Sequence, residues 1–283
     1  MNCRPVIAMI YDFDNTLIDG NMQECGLIED LGYTTEEFWK IANTRALDKG
    51  MDRNLEVMKF VKEEVEKQGK KLTREFLRSY GPKVDKMLMP GVTSWFENIN
   101  KLGEHMGLEI EHYVISSGFE EIIEGTSIYG RFKEVFGCEY DYNADGEADW
   151  VLDVINFTGK TQYISRINKG LMNLADNTIV NRKVKGDRRV PYHNMIYFGD
   201  GFTDIPCMQI VKNKGGRSIG VYGHCDNVAK QLLQDERVDF IAPADYSANS
   251  ELFGIVSEIL ESMNVQDNLE RIAKKQRQCN CSE

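Results

Sequence analysis

No stretch of this 283-residue sequence stays apolar for the length of a membrane span, so no membrane partner is expected. Positive charge is also scarce. The 34 Lys and Arg face 45 Asp and Glu, a formal net charge of -11, which excludes a broad polyanion-binding surface and argues against nucleic acid as a partner. Any phosphate chemistry therefore has to be local. The seven cysteines, Cys3, Cys25, Cys138, Cys207, Cys225, Cys279 and Cys281, are odd in number and lack the C-x-x-C spacing of a zinc framework, which fits reduced thiols in a cytoplasmic protein. Cys279 and Cys281 are close together, but the polar composition of the tail accounts for them without a metal. The four histidines, His105, His112, His193 and His224, show no ligand spacing among themselves and read as structural or surface groups. Ahead of Asp12 stand only Arg4 and a brief apolar run, too soon interrupted for a signal peptide. Internal repeats and low-complexity segments are absent as well.

What the sequence does contain is an ordinary globular composition, 42% hydrophobic and 28% charged, with length enough for a large α/β core and a smaller accessory domain. Val6 to Tyr11 form a nearly continuous apolar run, the pattern of a parallel strand buried on both faces. Asp12 and Asp14 follow it directly. From residue 20 to residue 86 the pattern turns helical: Thr34, Asp52 and Thr73 each precede an apolar stripe and predict three capped helices. The stripe of the first is Phe38, Ile41, Ala42 and Leu47. Tyr33, Phe38, Trp39 and Met51 are candidates for a pocket lining, although helical spacing makes core packing the simpler reading. Alternation of strand and helix resumes at Pro90-Gly91. Strands are predicted at Ile110 to Ile115, Glu134 to Phe136, Met195 to Phe198, Ser218 to Tyr222 and Asp239 to Ala242. Asp145-Gly146 predicts a β-hairpin between residues 139–142 and 150–155. A helix after Lys160 carries Tyr163, Ile164, Ile167, Leu171 and Met172, and a last helix runs from Glu251 to Met263, with a loose helix or tail after Gln266.

Parallel strands with crossover helices bring their carboxyl ends to one edge of the sheet. Asp12, Asp14, Ser116, Lys160, Asp200 and Asp204 all fall at such ends and are predicted to share a cleft. Carboxylates that close together need a cation, and hard oxygen ligands suit Mg²⁺, with Asp12 and Asp200 as ligands. Asp12 is then a candidate nucleophile and Asp14, two residues on, a candidate acid and base. Lys160 and Ser116 would hold the oxygens of a phosphoryl group in transfer. The basic segment 182–189 could reach over the cleft, although a solvated loop is the simpler reading.

Asp12-Phe13-Asp14-Asn15-Thr16, Ile115-Ser116-Ser117-Gly118, Lys160 and Gly199-Asp200-Gly201-Phe202-Thr203-Asp204 resemble the four ordered motifs of the haloacid dehalogenase-like (HAD) phosphohydrolase superfamily. The helical insertion after the first motif is similar to the C1 cap of its phosphoserine-phosphatase-like branch. The resemblance implies a Rossmann-like HAD core of mostly parallel sheet flanked by helices, residues 1–19 and 87–283, with a small all-helical cap at 20–86. It implies Mg²⁺ held by Asp12, the backbone carbonyl of Asp14 and Asp200, with Asp204 in support, and substrate held by Ser116, Ser117, Gly118 and Lys160. The implied reaction is hydrolysis of a small phosphorylated metabolite through an aspartyl-phosphate. Dehalogenases lack the second Asp of the first motif, so Asp14 points away from that chemistry. Asn21 stands where phosphoserine phosphatases place a Glu for the substrate amine, which points away from phosphoserine itself. The alternatives are a phosphomutase or phosphotransferase, and a regulator that binds a phosphorylated ligand without turning it over.

Overall fold

The chain's structure is a computed structural model that describes residues 4–176, 180 and 188–279. Strand β1 (Val6–Tyr11) is buried at every position, as an unbroken apolar run requires when both faces of a sheet are covered. Its neighbours are β2 (Glu109–Phe119) and β5 (Met195–Gly199), both parallel to it, with Tyr11 paired to Val114 on one side and Phe198 on the other. With β3 (Glu134–Tyr142), β4 (Ala148–Asp153), β6 (Arg217–Tyr222) and β7 (Phe240–Pro243), the seven strands form one sheet in the order β4-β3-β2-β1-β5-β6-β7. The β3–β4 pair is antiparallel and the other pairs are parallel. Gly146 closes the β3–β4 hairpin at φ 75°, a conformation that costs a glycine nothing.

Helices cover the sheet. The helix Val92–Met106 packs on β2 and against the C-terminal helix Glu251–Cys279, while Ile205–Asn213 packs on β5 and β6 and against Thr161–Lys169. This is the α/β architecture with a mostly parallel sheet that the alternation predicts. Helix Thr161–Lys169 stops at Gly170, which is left-handed at φ 71°, so Leu171 and Met172 lie beyond it rather than on its stripe. The predicted strand at Glu134 to Phe136 and the first hairpin arm are one strand, β3. Gly137 interrupts the apolar pattern and marks an irregularity in the β2–β3 register between Phe136 and Cys138, and it lies against Glu120, where a Cβ would come within 2.8 Å. After Gln266 the last helix continues to Cys279, so of the two expected forms, helix or tail, the helix is the one present. Cys281 and most of the basic segment, residues 182–187, lie outside the described residues.

Between β1 and Val92 the chain is helical. Asp19 N donates to Met87 O (2.8 Å) and Met89 N to Leu17 O (2.9 Å), so the segment leaves and returns side by side. Thr34 caps helix Thr35–Lys49 in a capping box with Glu37, Asp52 caps Arg53–Lys67 and Thr73 caps Arg74–Arg78. Phe38 and Phe60 stack at 5.1 Å between the first two. Leu47 is 82% exposed, contrary to its place on the predicted stripe. Glu56 is fully buried and ion-paired to Arg45 (2.6 Å) and Lys49 (2.7 Å). A buried carboxylate needs those partners. The helix therefore turns Phe38, Ala42 and Arg45 toward the next helix, Lys49 reaches Glu56 from the exposed end, and Leu47 faces out.

These helices are also tied to the β3–β4 hairpin. Ala148 N donates to Leu72 O (2.7 Å), Tyr140 Oη to Met58 O (2.6 Å), Asn54 Nδ2 to Ile155 O (2.6 Å) and Asn156 Nδ2 to Asp52 Oδ2 (2.7 Å). Arg74 bridges Glu124 and Glu139.

Candidate active site

Asp12 follows the last residue of β1, and its amide donates to Phe198 O of β5 at 2.9 Å, continuing the ladder one step past the strand. The chain then turns back on itself. Asn15 adopts φ 54°, a left-handed conformation that Asn tolerates better than most side chains, and Leu17 N donates to Phe13 O at 2.9 Å. Asp14 is thereby swung to the same side as Asp12, and its Oδ1 accepts from Met22 N at 2.9 Å. Gly118 makes room for this loop, since a Cβ there would come within 2.2 Å of the Met22 side chain.

Lys160, at the start of helix Thr161–Lys169, is 1% exposed. Its Nζ lies 2.8 Å from Asp12 Oδ1 and 2.8 Å from Asp204 Oδ1. Asp204 Oδ1 also accepts from the buried Tyr197 hydroxyl at 2.8 Å. Burial, with Asp204 and Cys207 nearby, raises the Tyr197 pKa far above the usual phenol range, so that hydroxyl stays a donor. Gly199 permits the close approach of Asp204, whose Oδ2 would lie 2.5 Å from a Cβ at that position. Asp200 follows β5 and lines the same cavity.

Asp12, Asp200 and Asp204 each present a carboxylate oxygen within 4.8 Å of the others. Burial, then mutual repulsion, pushes the pKa of Asp12 and of Asp200 up from the ordinary carboxylate value. Asp204 Oδ2 is buried without a hydrogen-bond partner. A single ammonium does not balance three carboxylates, and an orphaned buried oxygen is costly. These residues therefore fit a hard divalent cation. Asp14 behaves differently. Burial first and the charge of Asp12 second hold its pKa up at about 7, so near neutrality it can both give and take a proton.

The cavity above these groups has a volume of about 340 Å³, enough for a small metabolite. Asp12, Asp14, Ser117, Lys160 and Asp200 line it; Trp39, Arg53, Asn54, Phe157 and Phe202 supply other parts of its wall. Ser116 is fully buried beneath the lining, and its Oγ accepts from Gly118 N at 2.9 Å. Asn21 lines the cavity and donates from Nδ2 to Glu24 Oε1 (2.8 Å), which also accepts from Trp39 Nε1 (2.8 Å). Phe38 is fully buried in the helical segment, and Met51 lines a separate groove beside β4. Arg188 and Arg189 line a different cavity together with Arg4 and His193.

No sequence signal gives Arg53, Phe157, Phe202 or Tyr197 a site role. Phe202 lies inside the quoted fourth motif, and its 58% exposure has no sequence signal. Arg53 follows the capping Asp52, which accounts for it locally and hides its position at the cavity.

Three similarities bear on this geometry. An uncharacterized protein of Borreliella burgdorferi is 29% identical over 282 residues, covering 89% of this chain and 96% of the relative. The fold is similar to a probable phosphoserine phosphatase from Vibrio cholerae (TM-score 0.55, 14% identity, 94% of this chain and 67% of that one). It is also similar to a phosphoserine phosphatase in a phospho-aspartyl intermediate analogue form (TM-score 0.51, 16% identity, 90% and 99%). At such identities the likeness is one of fold, and that fold is the one expected for the phosphoserine-phosphatase-like branch. Residues 9–209 match a family described as haloacid dehalogenase-like hydrolase, a span that runs from within β1 past Asp204, and the chain belongs to that family.

Proposed function

We propose that the protein is a Mg²⁺-dependent phosphomonoester hydrolase that works through an aspartyl-phosphate on Asp12. The observation that carries this reading is the floor of the cavity: a nucleophile candidate held by a buried lysine beside a second aspartate whose pKa of about 7 suits proton transfer. Asp12, Asp200, Asp204 and the backbone carbonyl of Asp14 would hold the cation, which neutralises phosphate charge and makes the carboxylate's approach possible. In the first displacement an Asp12 oxygen bonds to phosphorus, the ester bond breaks, and Asp14 gives its proton to the departing alkoxide. In the second, Asp14 takes a proton from water as that water's oxygen attacks phosphorus, and inorganic phosphate leaves with Asp12 restored. Lys160 holds Asp12 in place and adds positive charge beside the phosphoryl oxygens, and the Ser116–Gly118 segment closes the other side. Residues 20–86 act as the cap that selects the substrate.

One residue of the cavity wall supports a narrower reading of the substrate class. Arg53 reaches the cavity, and no described residue forms an ion pair with it. A second acidic group on the substrate, rather than a cationic head group, is what such a guanidinium recognises.

The test is release of inorganic phosphate from p-nitrophenyl phosphate and a panel of small phosphomonoesters with Mg²⁺, for wild type and Asp12→Asn. Hydrolysis by the wild type and only background release by the variant are expected. An Asp12→Asn protein as fast as wild type defeats the proposal, and an isomerised sugar phosphate without free phosphate identifies a phosphomutase instead.

A further inference from the structure

His193, Asp267 and Glu270 form a second cluster, remote from the cavity. His193 lies in the turn Tyr192–Asn194 that precedes β5, whereas Asp200 follows the other end of that strand, so the full strand separates the two places. Asp267 and Glu270 are three residues apart on the C-terminal helix, the spacing that puts two side chains on one face.

Three features mark the cluster as incomplete. His193 Nε2 is shielded from solvent and has no hydrogen-bond partner. It lies 3.6 Å from Asp267 Oδ1 and 3.7 Å from Glu270 Oε2, longer than hydrogen bonds but at ion-pair range, and Asp267 and then Glu270 raise the imidazole pKa. Those separations are close to the roughly 3.4 Å between ligand atoms placed tetrahedrally about 2.1 Å from a zinc ion. The other Asp267 oxygen, Oδ2, accepts from Asn194 Nδ2 at 2.8 Å, the outer contact that fixes the orientation of a ligating carboxylate.

The helix also needs an anchor here. Among the described side chains Met263 is its last buried apolar residue, and beyond it Val265, Leu269 and Ile272 are each more than half exposed. Apolar burial does not explain why the helix continues along the protein through Asp267 and Glu270.

We propose that His193, Asp267 and Glu270 bind a transition-metal dication of the Zn²⁺ or Co²⁺ type, and that this ion clamps the C-terminal helix to the sheet edge opposite the cavity. An imidazole ligand selects against Mg²⁺ and Ca²⁺. Arg188, Arg271 and Lys274 line the adjoining cavity, so the ion is held by directed coordinate bonds rather than by the local field. Three protein ligands leave a fourth position for water.

The test uses the full chain, stripped with chelator and held in excess Mg²⁺ so that the catalytic carboxylates are occupied. Zn²⁺ retained per chain is counted by native mass spectrometry, and the His193 imidazole is followed by ¹⁵N NMR. Wild type is expected to retain one more Zn²⁺ than His193→Gln or Glu270→Gln, and its Nε2 resonance to shift on loading. Asn194→Ala, which keeps all three ligands, is expected to bind about 10–100-fold more weakly. The proposal is overturned by equal retention in wild type and His193→Gln, or by a His193 imidazole that Zn²⁺ leaves unmoved. A thiolate-to-cobalt charge-transfer band on Co²⁺ loading also overturns it, because it assigns the ion to cysteine. The imidazole signal is read in the wild type, so the test survives a variant that fails to fold.

Discussion

Replacing Lys160 with Met probes the one feature on which the whole site depends. The methionine fills most of the lysine's volume but removes an ammonium that sits 2.8 Å from two carboxylates. Burial alone disfavours that charge, yet Asp12 and Asp204 more than offset it, and Lys160 stays protonated well beyond the usual lysine range. Without it, Asp12 and Asp204 face each other with no counter-charge at a position 1% exposed. Breaking a buried ion pair from one side costs about 3–5 kcal/mol, which for a chain this long lowers the melting temperature by on the order of 10 °C. The assay is a melt in chelator, followed by a Mg²⁺ titration of both proteins. Mg²⁺ should recover more stability in the variant than in wild type, because it is then the only cation available to the carboxylates. Adding Asp204→Asn to Lys160→Met should return at least about 1 kcal/mol, the signature of direct coupling. A metal-free Lys160→Met protein that melts within about 1 kcal/mol of wild type would show that the cluster is not held by this lysine, and would refute the reasoning.

Two further outcomes are expected. Arg53→Ala should raise KM about 10–100-fold for a substrate with a second acidic group, the effect of losing one charge-assisted hydrogen bond of about 1.5–3 kcal/mol. KM for p-nitrophenyl phosphate, which lacks that group, should be nearly unchanged, and equal losses on both would remove Arg53 from substrate recognition. His112 accepts from the Tyr11 hydroxyl at 3.0 Å, and burial lowers its pKa to about 3. The folded protein thus refuses a proton that the unfolded chain accepts below about pH 6.5. Its contribution to stability is complete above that pH and is lost as pH falls toward 3, by on the order of 4–5 kcal/mol in all. The His112 imidazole NMR signal should stay fixed from pH 8 to pH 5, and a signal that titrates near the ordinary histidine value contradicts this.

How far the sequence reaches depends on whether the cause of a feature is local. The end of β1, the caps at Thr34, Asp52 and Thr73, and the hairpin turn at Gly146 are set by neighbours a few residues away, and each is legible. The first and fourth motifs are legible for the same reason, since Asp12 and Asp200 each follow the last residue of a strand. By contrast, Ser116–Gly118 lie within β2, which runs on past the predicted end at Ile115, and Lys160 closes a 3-10 turn ahead of its helix. The orientation of helix Thr35–Lys49 is not, because the buried Glu56 that turns it belongs to the next helix. The contact between Tyr197 and Asp204 escapes as well: Tyr197 reads only as an apolar strand residue, and its hydroxyl acquires meaning when Asp204 folds back over Gly199. The polar composition after Gln266 leaves helix and tail undecided, because the contact that fixes this segment, the Asn194–Asp267 hydrogen bond, joins residues far apart in sequence.

The place of the nucleophile candidate in the strand order sets how the protein comes apart. Asp12 extends the middle strand of seven, whose amides should exchange with solvent only when the whole sheet opens. Arg53, Asn54 and Trp39 stand on helices that share the apolar core but meet the sheet through its β3–β4 edge, a region able to open locally at lower cost than the middle strand. On the proposed reading of residues 20–86 as the substrate-selecting cap and Asp12 as the nucleophile, warming or mild denaturant therefore loosens recognition while the reacting groups are still aligned. Over that interval the protein is a less discriminating catalyst rather than a dead one, and its selectivity, not its turnover, is the first property that a destabilising substitution at the periphery erodes.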